Sequence, residues 1–226
     1  MKPKFIVCTD SGCDLPIDVL EAHEIFPIRL QYTIDGELFT DTMQHADCHL
    51  FYEKMRNGAV PKTSQLNAMQ FIEFWRPLVQ QYHLPIIHIC LGSRVSGTFN
   101  NGCLAAQELK KALPEADIHM VDSTLCSVGY GMLALRATEM RDAGQSLLEC
   151  LDWLEQHKIE INTWYTTDEL KYLYRSGRVS KLSQTVGTML KICPILNLDA
   201  EGHLLVQERV RGLKQTIKRI HTIMDD

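Results

Sequence analysis

The sequence lacks the long apolar runs and the excess of positive charge by which several protein classes are recognised. None of its apolar runs approaches the roughly 18 residues that a membrane span needs. The apolar stretch Phe5–Cys8 is soon followed by Asp10, which predicts that it is not a signal peptide. A net charge of -5 argues against a nucleic-acid-binding protein. The 226 residues are 45% hydrophobic and 23% charged, as in an ordinary globular protein.

Paired-cysteine spacing is also missing. The eight cysteines include no C-x-x-C pair, and Cys8, Cys90 and Cys193 stand inside apolar runs. They predict reduced, buried thiols of a cytoplasmic protein. A scaffold held together by disulfides would be shorter and richer in turns.

Short apolar runs alternate with amphipathic stretches over residues 1–158, which predicts βαβ units and an α/β layered N-terminal domain. Residues 159–226 predict a smaller α+β C-terminal domain, because a hairpin loop at 199–202 joins two strands and a helix follows. Asp225 and Asp226 at the end of that helix oppose its dipole, so we expect the second domain to be truncated.

Local signals predict further element boundaries. Asp14 and Asp47 each precede an amphipathic stretch and are interpreted as helix N-caps. Val60–Gln65 predicts an extended polar connection, and Gln184–Lys191 predicts a helix.

Polar turns follow three of the predicted strands, in Thr9–Ser11, Ser93–Thr98 and Asp122–Ser123. In an open α/β sheet the carboxyl ends of the strands line one crevice, so these turns are expected to face one site. A fourth polar segment, Pro61–Gln65, is expected to cover that site.

Ser93–Thr98 is the strongest local feature, because it leads into a predicted helix with hydroxyls and free N–H groups at its start. That pattern is typical of an anion site, and equally of a plain cap in which Ser96 or Thr98 closes the helix. The segment is neither G-x-S-x-G nor a P-loop. Neutral donors of this kind suit a carboxylate, or the neutral acid, better than a triphosphate.

Other polar clusters have two interpretations each. His45 and His49 are spaced to bind a metal on one helix face, but an N-cap at Asp47 would leave His45 outside the helix and favours solvated polar residues. Asp10 and Asp122 either form an acid–base pair or hold turns. Two arginine pairs either close local turns or contact an acidic partner or a phosphate; they are Arg175 with Arg178, and Arg209 with Arg211.

Taken in order, these motifs resemble the DegV family. Each is weak alone, but their order and spacing hold over essentially the whole chain. The matching segments are Thr9–Ser11 with Asp14–Pro16, Lys62–Gln65, Ser93–Thr98, Asp122–Ser123, Leu170–Ser180, and the late group Gly202, Arg209 and Arg211.

The resemblance implies a two-domain fold with a long-chain fatty acid, such as palmitate or oleate, in the interdomain cleft. It implies that Thr63 and Ser96 hydroxyls and the Gly97 N–H hold the carboxylate, and that a separate fatty acid kinase subunit phosphorylates it. The chain would then be a carrier with no catalytic residue, no metal and no cofactor, and with transient contact to membrane surfaces. Further expected ligand residues are Ser64, Thr98, Asp10, Ser11 and Ser123, and the residues expected near the kinase or its phosphate are Arg178, Arg209 and Arg211.

The acyl slot and two competing functions stay open at this point. Six apolar residues are candidates for the slot and equally for ordinary core: Ile28, Leu30, Trp164, Met189, Leu190 and Ile192. An esterase would use Ser96 as its nucleophile and needs a nearby base. A small-molecule phosphotransferase would place Asp10 and Asp122 around a metal, which the glycine-poor and lysine-poor turns disfavour.

Overall fold

The computed structural model describes residues 4–168, 170–178 and 192–225, so the predicted helix Gln184–Lys191 lies outside the described residues. The chain divides into two compact units, Met1–Lys158 (unit 1) and Ile159–Asp226 (unit 2). Within the described ranges, no helix has both the length and the apolar character to cross a bilayer.

The helices are α1 (Ile17–Ala22), α2 (His45–Arg56), α3 (Ala68–Tyr82), α4 (Thr98–Ala112), α5 (Val128–Asp142), α6 (Leu147–His157), α7 (Leu170–Ser176) and α8 (Leu213–Asp225). The strands are β1 (Ile6–Asp10), β2 (Ile25–Ile28), β3 (Gln31–Ile34), β4 (Glu37–Thr40), β5 (Lys62–Ser64), β6 (Ile86–Cys90), β7 (Ile118–Asp122), β8 (Trp164–Thr166), β9 (Ile192–Leu198) and β10 (Leu204–Arg211).

The main sheet of unit 1 is parallel, with strand order β2-β1-β6-β7. Val7 lies opposite Ile25 on one side and Ile87 on the other. Strands β1 and β6 are buried along their whole length, as central strands are when helices cover both faces of a sheet. The predicted α/β fold is therefore confirmed, and the carboxyl ends of β1, β6 and β7 lie side by side.

One layer of the core packs around a buried histidine on β6. Trp75 of α3 donates its Nε1–H to Nδ1 of His88 (3.1 Å), and the rings of Phe71 and Phe74 meet the imidazole edge to face. Burial lowers the pKa of His88 to about 3, because a charged imidazole would lose its hydration in this apolar setting.

Helix α5 packs closely against the start of unit 1 because its inner face is made of small residues. Gly131, Ala134 and Ala137 are buried, and their small size lets the helix approach its neighbours closely. A Cβ atom added to Gly131 would lie 2.9 Å from the Cys13 carbonyl oxygen and 2.8 Å from Cγ of Leu15. Since a backbone atom cannot easily give way, this position requires glycine.

Both predicted N-caps are wrong. Asp14 has a left-handed φ of 53° and ends a short 3-10 turn, while Pro16 precedes α1. Helix α2 begins at His45, two residues before Asp47. The Asp47 carboxylate instead accepts a hydrogen bond from the Thr42 hydroxyl (2.6 Å), which connects the first turn of α2 to the segment that precedes it.

A second, antiparallel sheet of unit 1 has the order β4-β3-β5. Asp35 and Gly36 take positive φ values of 52° and 87° at the β3–β4 turn, which confirms the hairpin that this Asp-Gly pair predicts. The extended connection predicted at Val60–Gln65 is partly a strand, because β5 pairs with β3. Helix α2 packs on this sheet through Phe51, whose ring centroid is 4.9 Å from that of Tyr32.

Unit 2 contains an antiparallel sheet with the order β10-β9-β8. The predicted hairpin is confirmed, and the Asp199 carboxylate closes its loop by accepting hydrogen bonds from the N–H groups of Glu201 and His203. Helix α8 packs on one face, where Arg219 makes a bidentate ion pair with Glu208 at 2.6–3.1 Å.

All eight cysteines are described and none forms a disulfide. Cys8, Cys90 and Cys193 are buried, as predicted from their apolar surroundings. Burial raises the pKa of the Cys13 thiol to about 12, and it raises the pKa of Cys8 as well. These thiols are therefore held protonated and unreactive at neutral pH.

Candidate functional site

Asp10, at the end of β1, is fully buried and holds three parts of the chain together. Its Oδ1 accepts hydrogen bonds from the Tyr130 hydroxyl (2.6 Å) and the Gly12 N–H (3.2 Å), and its Oδ2 accepts one from the Leu91 N–H (3.0 Å). Burial raises the pKa of this carboxyl, and the three hydrogen bonds oppose that shift. These contacts favour the turn-holding interpretation, and a direct ligand contact of Asp10 stays a prediction.

Two serines beside the strand ends are also engaged internally. Ser11 Oγ accepts a hydrogen bond from the Leu30 N–H (3.0 Å), which ties the end of β1 to the segment after β2. Ser123 Oγ accepts from the Leu125 N–H (3.1 Å) and donates to its carbonyl (3.3 Å). Both serines are buried, so their role as ligand contacts likewise stays a prediction.

The turn after β6 presents donors at the start of α4. Asp122 fixes this turn by accepting a hydrogen bond from the Ser93 N–H (3.0 Å). Ser96 Oγ accepts from the Thr98 N–H (3.3 Å) and shares a hydrogen bond with Thr98 Oγ1 (2.9 Å). Gly97 is the N-cap, and its N–H has no acceptor among the described residues. The 15-residue helix adds positive potential at this end, which suits an anion.

The segment after β5 is fastened to that same helix start. The Leu66 N–H donates to Thr98 Oγ1 (3.3 Å), and Asn101 Nδ2 donates to the Leu66 carbonyl (2.7 Å). The Gln65 amide fills the space where a side chain at position 97 would be, so Gly97 leaves room for it. The structure thus joins the Lys62–Gln65 and Ser93–Thr98 motifs at one place, as the crevice prediction requires.

Thr63 and Ser64 are exposed on β5, and Thr63 borders a cavity of about 300 Å³. Strand register places Phe39, Tyr32 and Thr63 in one row across the second sheet, on one face. Leu30 also lines the cavity, with Phe51 of α2. Its wall also includes three acidic side chains and a further aromatic one, which are Asp14, Asp41, Asp47 and Tyr52.

The predicted partner contacts lie in unit 2. Arg209 and Arg211 are exposed on β10, two residues apart and therefore on one face of the strand. Arg178 is exposed after α7, where its guanidinium donates to the Ser176 carbonyl (2.6 Å). Their contact with a kinase or a phosphate stays a prediction.

The acyl-slot candidates divide between the two units. Ile28 is 5% exposed and belongs to the core beneath the main sheet, whereas Leu30 lines the cavity beside Thr63. In unit 2, Trp164 has a buried Nε1–H without an acceptor among the described residues, and Ile192 is partly buried. Met189 and Leu190 lie outside the described residues.

The alternative chemistries receive little support from these contacts. Within the described part of the chain, Ser96 Oγ is hydrogen-bonded to Thr98 and to no histidine or carboxylate, so an esterase would lack its base. Asp10 and Asp122 each bind separate backbone N–H groups. Across the described ranges, no three histidine, cysteine or acidic side chains are grouped closely enough to hold a metal. His45 and His49 therefore have no third ligand beside them within those ranges.

Several residues that shape this site escaped the sequence interpretation. Tyr130 is the partner of Asp10 across 120 positions, and no local pattern predicts that pairing. Asn101 lies within a predicted amphipathic helix, where an asparagine gives no distinct signal. Its position three residues after Thr98 is the one feature that indicates a contact with the segment after β5. Tyr32 lies beside Thr63 because of strand register, and Phe51 lies over Tyr32 because of helix packing. A single sequence reveals neither.

Comparison with known proteins gives one consistent result. Residues 4–226 match the family described as "Uncharacterised protein, DegV family". A DegV domain-containing protein of Clostridium perfringens is 33% identical over 221 residues, which cover 96% of this chain and 75% of that protein.

Solved structures of DegV proteins also resemble this chain over nearly its whole length. A DegV lipid-binding protein of Thermotoga maritima has a TM-score of 0.87 at 28% identity, covering 99% of this chain and 77% of that one. A DegV family protein of Thermus thermophilus, whose structure is described as showing fatty acid binding, has a TM-score of 0.83 at 28% identity, covering 98% and 77%.

Proposed function

Since this chain belongs to the DegV family, we propose that it binds one long-chain fatty acid, such as palmitate or oleate. In this proposal the carboxylate is held by the hydroxyls of Thr63 and Ser96 and by the N–H of Gly97. The observation that carries it is the fastening of the Lys62–Gln65 segment onto the start of α4, through Leu66 and Thr98. The lipid-binding relatives from Thermotoga maritima and Thermus thermophilus support the same ligand class.

The donor set suits a carboxylate. Hydroxyl and N–H groups at a helix start provide directional hydrogen bonds to an anion, and their partial charges match one negative charge better than several. Burial of a C16 tail contributes on the order of 12 kcal/mol before ordering costs, at about 0.8 kcal/mol per CH₂. The tail therefore supplies most of the affinity, and the head group fixes the orientation.

Removal of either hydroxyl is expected to weaken fatty acid binding. Hydrogen bonds to a charged group contribute about 1.5–3 kcal/mol each, so Thr63→Val and Ser96→Ala should each raise the Kd for oleate roughly 10- to 100-fold. Fluorescence titration of delipidated protein, with displacement by oleate, measures this change.

Matched variants separate head-group contacts from general damage. Thr33→Val alters a hydroxyl on the opposite face of the same sheet, and Ser93→Ala alters a hydroxyl in the same turn as Ser96. Both should bind oleate like the wild type. An unchanged Kd in Thr63→Val and Ser96→Ala would place the carboxylate elsewhere, and a wild type that takes up no fatty acid would refute the proposed function itself.

The second part of the proposal concerns what happens to the bound acid. We propose that the chain presents the carboxylate to a separate kinase subunit, which transfers the γ-phosphoryl group of ATP to a carboxylate oxygen and gives an acyl phosphate and ADP. The exposed arginines Arg178, Arg209 and Arg211 are the proposed contacts with that subunit or its phosphate.

An acyl phosphate can be trapped chemically. With a fatty acid kinase subunit, ATP, magnesium and oleate-loaded protein, hydroxylamine should yield oleoyl hydroxamate, detected by mass spectrometry. Arg209→Ala with Arg211→Ala should lower the rate of hydroxamate formation while leaving the Kd for oleate unchanged. No hydroxamate from loaded wild-type protein would reject the carrier role but leave fatty acid binding intact.

A further inference from the structure

Helix α2 packs on part of the row of side chains that ends in Thr63. Phe39, Tyr32 and Thr63 stand opposite one another on β4, β3 and β5. Lys54 Nζ of α2 lies 4.4 Å from the Phe39 ring centroid, and Phe51 packs on Tyr32. The cavity that Thr63 borders is also lined by residues of α2, Phe51 among them. Thr63 itself is exposed, but access to the cavity that it borders depends on where α2 lies.

The attachment of α2 to its sheet is light. None of its twelve residues, all of them described, is buried. Its ring contacts with β3 and β4 involve Phe51 and Lys54, and the ion pair of His49 with Glu53 stays within the helix. The hydrogen bond of Asp47 joins it to Thr42, in the link that enters the helix. An element with few buried apolar contacts opens at a low free-energy cost.

Both ends of α2 have turning points in the backbone. Met43, before the helix, has a φ of 58°, which is unusual for a residue with a side chain. Gly58, after the helix, has a φ of 101°. Its N–H donates to the Met55 carbonyl, and the Ala59 N–H donates to the Lys54 carbonyl, which ends the helix sharply. The helix is thus a discrete segment between two sharp bends.

We propose that α2 is a lid over the carboxylate end of the ligand site, closed by the Phe51–Tyr32 contact and swinging about Met43 and Gly58. It opens to admit or release the fatty acid head group. This inference rests on the proposed function, because it assigns the regulation of access to that same site.

Loosening the lid should speed ligand exchange. Phe51→Ala removes the contact with Tyr32, so both the association and the dissociation rate constants for a fluorescent fatty acid should rise about tenfold, while the Kd changes less than about threefold. Leu50→Ala is the matched control, because Leu50 is the preceding residue of the same helix and is 54% exposed. Stopped-flow fluorescence measures both rates.

Locking the lid should have the opposite effect. In a Cys48→Ser background, Phe39→Cys with Lys54→Cys places two thiols where Lys54 now lies over the Phe39 ring. Cross-linking with bis-maleimidoethane should slow dissociation of the fluorescent fatty acid at least about tenfold relative to the same protein blocked with N-ethylmaleimide. The Cys48→Ser protein treated with the cross-linker controls for reaction at other cysteines.

The outcomes separate this inference from the proposed function. If the wild type binds the fatty acid but neither Phe51→Ala nor the cross-link changes its rates, α2 is not a lid and fatty acid binding stands. If the wild type binds no fatty acid, the proposed function fails first.

Discussion

Asp10→Ala is expected to lower the free energy of unfolding of unit 1 by about 3–5 kcal/mol at pH 7. The substitution leaves the hydroxyl of Tyr130 and the N–H groups of Gly12 and Leu91 without their acceptor, in a place where water has little access. The raised pKa of Asp10 shows that the cost of burying its charge exceeds the stabilisation of that charge by the three hydrogen bonds. The expected loss in Asp10→Ala therefore comes from the three buried donors that are left without an acceptor.

Urea unfolding followed by Trp75 fluorescence measures this effect within unit 1. The chain has three tryptophans, so Trp153→Phe and Trp164→Phe make Trp75 the only reporter. Tyr130→Phe removes one of the three hydrogen bonds and should cost about 1 kcal/mol. A loss for Asp10→Ala no larger than that for Tyr130→Phe would show that Asp10 does not hold the three segments together.

Acidification from pH 7.5 to pH 5 should cost the wild type about 2 kcal/mol through His88 alone, and about 4 kcal/mol by pH 3. The pKa of His88 in the folded protein, about 3, lies below the ordinary value of 6.5. Between these two pH values the imidazole is protonated in the unfolded chain and neutral in the folded protein. The stability contributed by neutral His88 is complete above pH 6.5 and is lost as the pH falls towards 3.

His88→Gln removes this titration while leaving a side-chain oxygen that can accept the Trp75 N–H. The difference in unfolding free energy between wild type and variant should therefore shrink by about 2 kcal/mol between pH 7.5 and pH 5. His45→Gln, at an exposed position on α2, controls for loss of a histidine as such. A difference that stays constant over this range would mean that folded His88 titrates normally.

Local patterns were sufficient for much of the fold. The apolar runs that form β1 and β6 and the Asp-Gly hairpin turn depend on nearest neighbours in the chain, so they can be read from the sequence. The helix starts predicted at Asp14 and Asp47 are wrong because other local interactions compete with capping. Asp47 bonds to Thr42 from inside the helix, and Asp14 takes a left-handed conformation after a 3-10 turn.

The candidate site was predictable as a set of segments but not as a geometry. Strand ends in a parallel sheet meet at one edge, which brings Ser96 to the crevice by topology alone. The alignment of Tyr32 with Thr63 requires the register of β3 with β5, and the Asp10–Tyr130 contact requires the packing of α5. Neither follows from periodicity, because both join residues far apart in the chain.

The placement of the carboxylate is tested most directly by the amide signal of Gly97. In ¹⁵N–¹H spectra of delipidated protein, palmitate should bind and move the Gly97 amide proton downfield, because that N–H gains a charged acceptor. Hexadecanol, with the same tail and no carboxylate, should leave this signal near its position in the free protein. Palmitate binding without a shift of the Gly97 amide would contradict the proposed head-group site, and no binding at all would contradict the function.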